Sequence, residues 1–286
     1  MKKGSIYLLL ALPLLLGSCL NKFLETETDV AAKEEANAIL TYAQNNKLSS
    51  TNSTGMFYSI TRTNPKGEFP EAKYDANVAF SLKTLIGIDI VSKTSRDSVI
   101  LNLFTSNLFV GFKNAMSLLR EGEKGTFAIP SAYAYGANPP VGVPKNSAVI
   151  LELEILDLIS ENDKIESYIK KKGLKVDSTS STGLRFIRLN PAIPSNPTLV
   201  NGDNLELKYN GLFLSEKSFD SGTTGYIYGG TNFIPGFIEG IKKLKKGEKA
   251  RVIFPSTLGY GANGSGSIPP FTPLIFDIEI SKVNGK

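Results

Sequence analysis

Histidine and tryptophan are absent from the 286-residue sequence, and cysteine occurs once. Without histidine there is no Ser-His-Asp or Cys-His nucleophilic system, and no zinc site built on imidazole. A single cysteine excludes an intramolecular disulfide and a cysteine cluster for zinc or iron–sulfur. Charge of one sign is also scarce: 32 Lys+Arg against 27 Asp+Glu leave a net charge of +5. Lys170 to Lys172 and Lys242 to Lys246 are locally basic. Neither has the density of a nucleic-acid arm, and both read as solvated helix faces, so no nucleic-acid partner is expected. Gly229-Gly230 is followed by no Gly-Lys-Ser/Thr, which rules out a Walker loop. The acidic residues are scattered rather than spaced as an EF-hand, and no metal or cofactor is expected. What is present is a composition of 41% hydrophobic and 21% charged residues. That is normal for a chain that buries cores, and the length suits about two domains.

The N-terminus has the plan of an export signal. Met1-Lys2-Lys3 is positive, Ile6 to Leu16 is almost wholly apolar, and Gly17-Ser18-Cys19 follows. The apolar run is too short for an ordinary membrane span and fits the h-region of a secretory signal. Leu16-Gly17-Ser18-Cys19 resembles the bacterial lipobox, in which the cysteine is diacylated and becomes the new N-terminus. An ordinary signal peptide with an incidental cysteine is the alternative. The lack of any other cysteine favours lipidation at Cys19. Each buried acyl methylene is worth about 0.8 kcal/mol, so two or three chains would hold a soluble domain to a bilayer. The expectation is a signal peptide over 1–18, a polar tether over 19–33, and attachment to the bacterial cell envelope, with the outer membrane as the expected site.

The remainder contains one unit twice. Tyr42, Leu48 and Ser53-Thr54-Gly55 reappear as Tyr168, Leu174 and Ser181-Thr182-Gly183. Gly111-Phe112, Gly122-Glu123-Lys124 and Tyr135-Gly136-Ala137-Asn138 reappear as Gly236-Phe237, Gly247-Glu248-Lys249 and Tyr260-Gly261-Ala262-Asn263. These last three pairs are separated by one constant interval, which predicts tandem domains rather than a solenoid. The first domain is expected over 34–158, a linker helix over 159–175 and the second domain over 176–286.

Each copy opens with an amphipathic helix. In the second, Ile165, Tyr168 and Ile169 lie at i, i+3 and i+4, and Gly173 stands at the stop position. The body is strand-rich. Leu205, Leu207 and Tyr209 alternate with Glu206 and Lys208, and Phe276, Ile278 and Ile280 alternate with Asp277 and Glu279. A short helix after Pro235-Gly236 is predicted from Phe237, Ile241 and Leu244, with Gly247 ending it. Phe112, Met116 and Leu119 repeat that face before Gly122. The implied class is α+β, an antiparallel sheet around one short helix, used twice.

Gly236-Phe237, Lys246-Gly247-Glu248-Lys249-Ala250-Arg251, Pro255-Ser256, Tyr260-Gly261, Ile268-Pro269-Pro270 and Phe276-Asp277 resemble the C-terminal half of FKBP-type peptidyl-prolyl cis-trans isomerases. Gly202-Asp203, Leu207 to Gly211 and Phe219-Asp220-Ser221 resemble that family's N-terminal strands. The resemblance covers nearly all of the second copy. It implies a catalysed rotation about X–Pro bonds, with proline-containing polypeptides as clients.

The resemblance also implies a site. Phe237 stands where most members have Trp at the pocket floor. Tyr209, Phe219, Phe233, Ile234, Ile268 and Phe276 match the apolar wall. Asp220 matches an acidic residue that hydrogen-bonds within the pocket, and Tyr260 a tyrosine whose hydroxyl donates to a bound carbonyl. Tyr226 and Tyr228 both lie near a further wall aromatic, and the spacing leaves the choice open; Tyr226 is carried as the candidate. Gly264-Ser265-Gly266-Ser267 reads as a mobile loop, which in the family borders the substrate cleft.

The first copy departs from the pattern. Leu82 is expected where Tyr209 stands, and no Phe-Asp pair occurs between Gly87 and Val99. Leu151 replaces Phe276 and Val143 replaces Ile268, while Phe112 and Tyr135 survive. A weakened or lost catalytic pocket is implied there. The expected function is a lipid-anchored prolyl isomerase that assists folding of exported proteins, with catalysis in the second copy. The competing readings are a non-enzymatic chaperone or scaffold, and an adaptor lipoprotein of an envelope complex. The sequence does not define an oligomeric state.

Overall fold

The computed structural model describes residues 27–285. The expected signal peptide and Cys19 lie outside these residues. The first helix, α1, spans Glu27–Asn45 and so begins inside the stretch expected as tether. Among the described residues no helix is long and apolar enough to cross a membrane.

The chain is α+β and folds as two antiparallel sheets, each wrapped on a short helix. The first sheet comprises β1 (Ser50–Thr51), β2 (Phe57–Arg62), β3 (Asp75–Thr84), β4 (Asp89–Lys93), β5 (Val99–Leu101), β6 (Lys124–Ile129) and β7 (Val149–Ile159), with α2 (Val110–Ser117) between β5 and β6. Its order is β1-β2-β6-β7-β3-β4, and β5 also pairs with β3. Helix α3 (Glu161–Lys172) leads into the second sheet. That sheet comprises β8 (Ser178–Thr179), β9 (Arg185–Arg188), β10 (Asn204–Phe213), β11 (Ser218–Ile227), β12 (Lys249–Phe254) and β13 (Leu274–Val283), with α4 (Pro235–Ile241) between β11 and β12. Its order, β11-β10-β13-β12-β9-β8, repeats that of the first.

Strand alternation assigns each residue to one of two faces. In β12 and β13, Val252, Phe254, Phe276 and Ile278 point inward with Phe237, Ile241 and Leu244. Ile253 and Ile275 point to the other face, where Ile165, Tyr168 and Ile169 of α3 cover them. The same division recurs in the first domain, where Ile39, Ala43 and Leu48 cover Ala128 and Ile150. The opening helices therefore pack on the outer faces of their sheets. Burial of a side chain such as Ile165 is worth about 1.5–3 kcal/mol.

Local chemistry sets the ends of α3. Ser160 accepts from the Asp163 amide, the Asp163 carboxylate accepts in return from the Ser160 amide, and Gly173 closes the helix at φ 61°. Glycine adopts this left-handed conformation without a Cβ penalty. Lys170, Lys171 and Lys172 fall in the last turn, where they complement the helix dipole.

Helix α4 is shorter than its apolar pattern predicts. It ends at Ile241 rather than at Gly247, and Leu244 is carried inward by a turn in which its amide donates to the Ile241 carbonyl. Lys242 to Lys246 therefore lie beyond the helix rather than on its face. Gly247, at φ 75°, instead turns the chain into β12 and donates to the Ile280 carbonyl. Gly236 lets α4 approach the sheet: a Cβ there would sit 2.7 Å from the Phe254 ring.

The two copies differ in one strand. In the second domain β11 runs unbroken along β10. In the first domain the equivalent strand is split into β4 and β5 by residues 94–98. Both the amide and the hydroxyl of Thr94 donate to Asp97 there, at 2.6 Å. The extra residues of this turn change the interval between the copies upstream of it. Leu82 pairs with Leu151, as Gly211 pairs with Phe276, and Phe80 pairs with Leu153, as Tyr209 pairs with Ile278. Phe80, not Leu82, therefore occupies the Tyr209 position, which corrects the sequence expectation.

Candidate functional site

A cavity of about 380 Å³ opens between α4, the β10–β11 hairpin and the segment after β12. Tyr209, Asp220, Phe233, Ile234, Phe237, Tyr260 and Phe276 line it, together with Thr231 and Asn232. Phe237 forms the floor. Its ring meets Tyr209 and Phe276 edge-on at 5.8 and 5.2 Å, and Phe233 at a tilt at 5.1 Å. Edge-to-face contacts at these separations suit the aromatic quadrupole and hold the rings in place. Phe276 is backed by Phe254, stacked at 5.9 Å.

The polar groups are few. The Tyr209 hydroxyl donates to Asp220 Oδ2 at 3.0 Å, tying the two rim strands together. Tyr260 follows a single turn of 3₁₀ helix, Ser256–Leu258, that is fixed from outside the sheet. The Ser256 amide and hydroxyl donate to the Glu161 carboxylate of α3 at 2.6 and 2.7 Å. The Tyr260 hydroxyl has no hydrogen-bond partner among the described residues, so it is free to donate to a ligand. Burial pushes Tyr260 above the usual tyrosine range, and the Asp220 charge adds to the effect. Tyr209 is raised by burial and then by its bond to Asp220. Both hydroxyls are therefore neutral donors at physiological pH.

Seven of the ten pocket residues expected from the sequence line this cavity. The other three stand behind it. Phe219 packs on Phe276 at 5.6 Å, in space left by Gly211, whose Cβ would lie 2.7 Å from the Phe219 ring. Tyr226 is buried in the core, 5.5 Å from Phe233, with its hydroxyl donating to the Gly230 carbonyl. Ile268 is also a core residue. Tyr228 packs against the same core without lining the cavity. Thr231 and Asn232 were not anticipated, because a search for apolar wall positions passes over polar residues. Their only sequence signal is their place immediately before Phe233-Ile234-Pro235-Gly236.

The glycine-rich segment before Ile268 is a closed turn rather than an open loop. Ser265 and Ile268 exchange two backbone hydrogen bonds of 2.9 Å, and Gly264 takes φ 64°. Among the described residues no cluster of three or more metal-ligating side chains is found.

An antiparallel sheet around a short helix, with an aromatic cavity at the helix and a Tyr–Asp pair on its rim, defines a small α+β domain with a ligand-sized cavity. The family described as FKBP-type peptidyl-prolyl cis-trans isomerase matches residues 66–156 and 196–281, one segment in each domain. Together these cover more than half of the chain, and the chain belongs to this family. It is 35% identical over 121 residues to the FKBP-type peptidyl-prolyl cis-trans isomerase FkpA of Escherichia coli, covering 41% of this chain and 43% of that protein. It is 31% identical over 167 residues to human peptidyl-prolyl cis-trans isomerase FKBP9, covering 56% of this chain and 26% of that protein. The chain thus spans less than half the length of either relative. Among solved structures, the three FKBP domains of wheat FKBP73 align over 81% of this chain and 95% of that one, at 18% identity and a TM-score of 0.40.

Proposed function

We propose that the second domain catalyses cis–trans isomerisation of X–Pro bonds in polypeptide clients. The reading is carried by one observation: the free Tyr260 hydroxyl and the Tyr209–Asp220 pair border a cavity floored by Phe237. The barrier to rotation, about 18–20 kcal/mol, arises from amide conjugation. Lowering it requires no bond to be made or broken, only tighter binding of the twisted amide than of either planar isomer. The planar amide carries the larger charge separation, so an apolar cavity that strips water from it favours the twisted form. The rings of Tyr209, Phe237 and Phe276 grip the prolyl ring, and Tyr260 donates to a carbonyl of the bound segment. The absence of histidine is no obstacle to such a reaction.

The chain is further read as an envelope lipoprotein anchored through Cys19, with exported proteins as its clients. That part rests on the Leu16-Gly17-Ser18-Cys19 motif and the apolar run before it. Mass spectrometry of the mature N-terminus tests it, since an unmodified Cys19 would remove the anchor.

The isomerase reading is tested with a proline tetrapeptide under conditions in which FkpA is active. Acceleration by the full chain, lost on Phe237→Ala while the circular-dichroism spectrum is retained, supports it. A parent protein without acceleration sinks it.

A further inference from the structure

Ser256 is the hub of the segment that carries Tyr260. Its carbonyl accepts from the amides of Gly259 and Gly261, both at 2.8 Å, and these two glycines flank Tyr260. Ser256 itself is buried, and its own amide and hydroxyl donate to the Glu161 carboxylate. The place of the Tyr260 hydroxyl is thus referred, through one serine, to a side chain of α3.

The first domain builds the same device. The Ser131 carbonyl accepts at 3.0 Å from the amides of Ala134 and Gly136, the residues on either side of Tyr135. The Ser131 amide and hydroxyl donate to the Glu35 carboxylate of α1 at 2.8 and 3.1 Å. Tyr135 lines a cavity of about 350 Å³ at the equivalent place. Glu35, Ile39 and Tyr42 have the spacing of Glu161, Ile165 and Tyr168. Glu161 is the first residue of α3, where the helix dipole by itself favours a carboxylate. Glu35 lies well inside α1, where that reason does not apply. The feature common to both glutamates is the serine, not the helix end. A buried amide and hydroxyl need acceptors, and a neutral carbonyl would satisfy either. A carboxylate takes both at once, in charge-assisted bonds roughly twice as strong as neutral ones.

We propose that Glu161 is a positioning residue of the second-domain site: through Ser256 it fixes where the Tyr260 hydroxyl stands in the cavity, which makes α3 part of the catalytic unit rather than a linker. The kinetic consequence rests on the isomerase reading, while the placement of Tyr260 is measured without it.

Glu161→Gln keeps the shape of the side chain but leaves one acceptor oxygen, so one of the two Ser256 donors is stranded. In the full chain it should lower kcat/KM for a proline peptide about fivefold, in kcat more than in KM, because the hydroxyl that binds the twisted amide is displaced. In a Tyr260→Phe background the same change should cost less than about twofold, since the hydroxyl it positions is gone. Loss by the same factor in both backgrounds would show a role confined to stability and overturn the proposal. An unchanged kcat/KM in Glu161→Gln would overturn it too. Ser256→Ala removes the hydroxyl donor and leaves the amide bond. It should show the same dependence on Tyr260 with a smaller loss, and it takes the place of Glu161→Gln if that variant unfolds.

Ring-labelled tyrosine in the full chain gives the second readout. The Tyr260 signals, identified by their loss in Tyr260→Phe, should shift in Glu161→Gln and stay in place in Glu35→Gln, which should instead move those of Tyr135. If the parent chain shows no acceleration, the isomerase reading fails and the spectrum alone decides. Tyr260 signals unmoved by Glu161→Gln then overturn the positioning role, and shifted signals uphold it.

Discussion

The Tyr209 hydroxyl donates to Asp220 Oδ2 at 3.0 Å, and the first domain carries Phe80 and Val91 at the two equivalent positions. One chain thus holds the same cavity in a polar-rimmed and an apolar-rimmed form. The Tyr209→Phe, Asp220→Val double variant converts the second rim into the first. A hydrogen bond to a charged group is worth about 1.5–3 kcal/mol. Either single change should lower kcat/KM for a proline peptide by about tenfold. The double variant should cost less than the product of the two, because no partner is stranded. A double-mutant cycle on kcat/KM measures the difference.

Tyr260 offers the cavity a hydroxyl with no hydrogen-bond partner among the described residues. Tyr260→Phe removes about 0.5–1.5 kcal/mol of transition-state hydrogen bonding and should lower kcat/KM up to about tenfold, with unchanged stability. Neither histidine nor cysteine lines the cavity. Burial raises both Tyr209 and Tyr260 above the ordinary tyrosine value of about 10. The rate should therefore be level from about pH 6 to 9. At higher pH the unfolded chain ionises its tyrosines first, so stability should fall as pH rises past about 10. A pH–rate profile and thermal melts at alkaline pH check the two statements.

Gly211 makes room for two rings. A Cβ there would meet Phe219 at 2.7 Å and Phe276 at 3.0 Å. The first domain has Leu82 at this position, and it also has Leu151 in place of Phe276, so the extra side chain is accommodated. Gly211→Ala should destabilise the second domain by about 1–3 kcal/mol through overpacking. Combining it with Phe276→Leu should recover part of that loss, as read from denaturant midpoints.

Glu248 is buried at the turn into β12. Burial opposes its charge, but donation from the Ile193 and Lys245 amides and the Arg188 guanidinium holds its carboxyl below the usual glutamate range. A depressed carboxyl adds stability above the unfolded pKa, and that stability is lost as pH falls through the folded value. Acid unfolding should therefore begin below about pH 4.5. Glu248→Gln should lower the melting temperature at pH 7 more than at pH 3.

Much of this was legible in the sequence. The Gly-Phe, Gly-Glu-Lys and Tyr-Gly-Ala-Asn repeats announced two copies, and period-2 alternation around Leu207 and Phe276 placed their strands. Ile165, Tyr168 and Ile169 predicted the helix that covers the outer face. These signals are local, because periodicity follows from the geometry of a single strand or helix. The candidate site was legible through the family motif, which brought seven of its residues to one cavity. Tyr226 and Ile268 carry the same apolar character as the lining, and only packing separates wall from core.

The sequence by itself determined that the chain is two copies of one α+β unit without histidine chemistry, since composition and repeat spacing need no third dimension. Tertiary structure alone decided which residue of the first copy answers to Tyr209. The turn over 94–98 shifts the interval between the copies, and only the hydrogen-bonded pairing of β3 with β7 fixes the register. A slip of two residues keeps every side chain on the same face, so alternation cannot tell Leu82 from Phe80. The ladder can, because each residue there has one partner across the sheet.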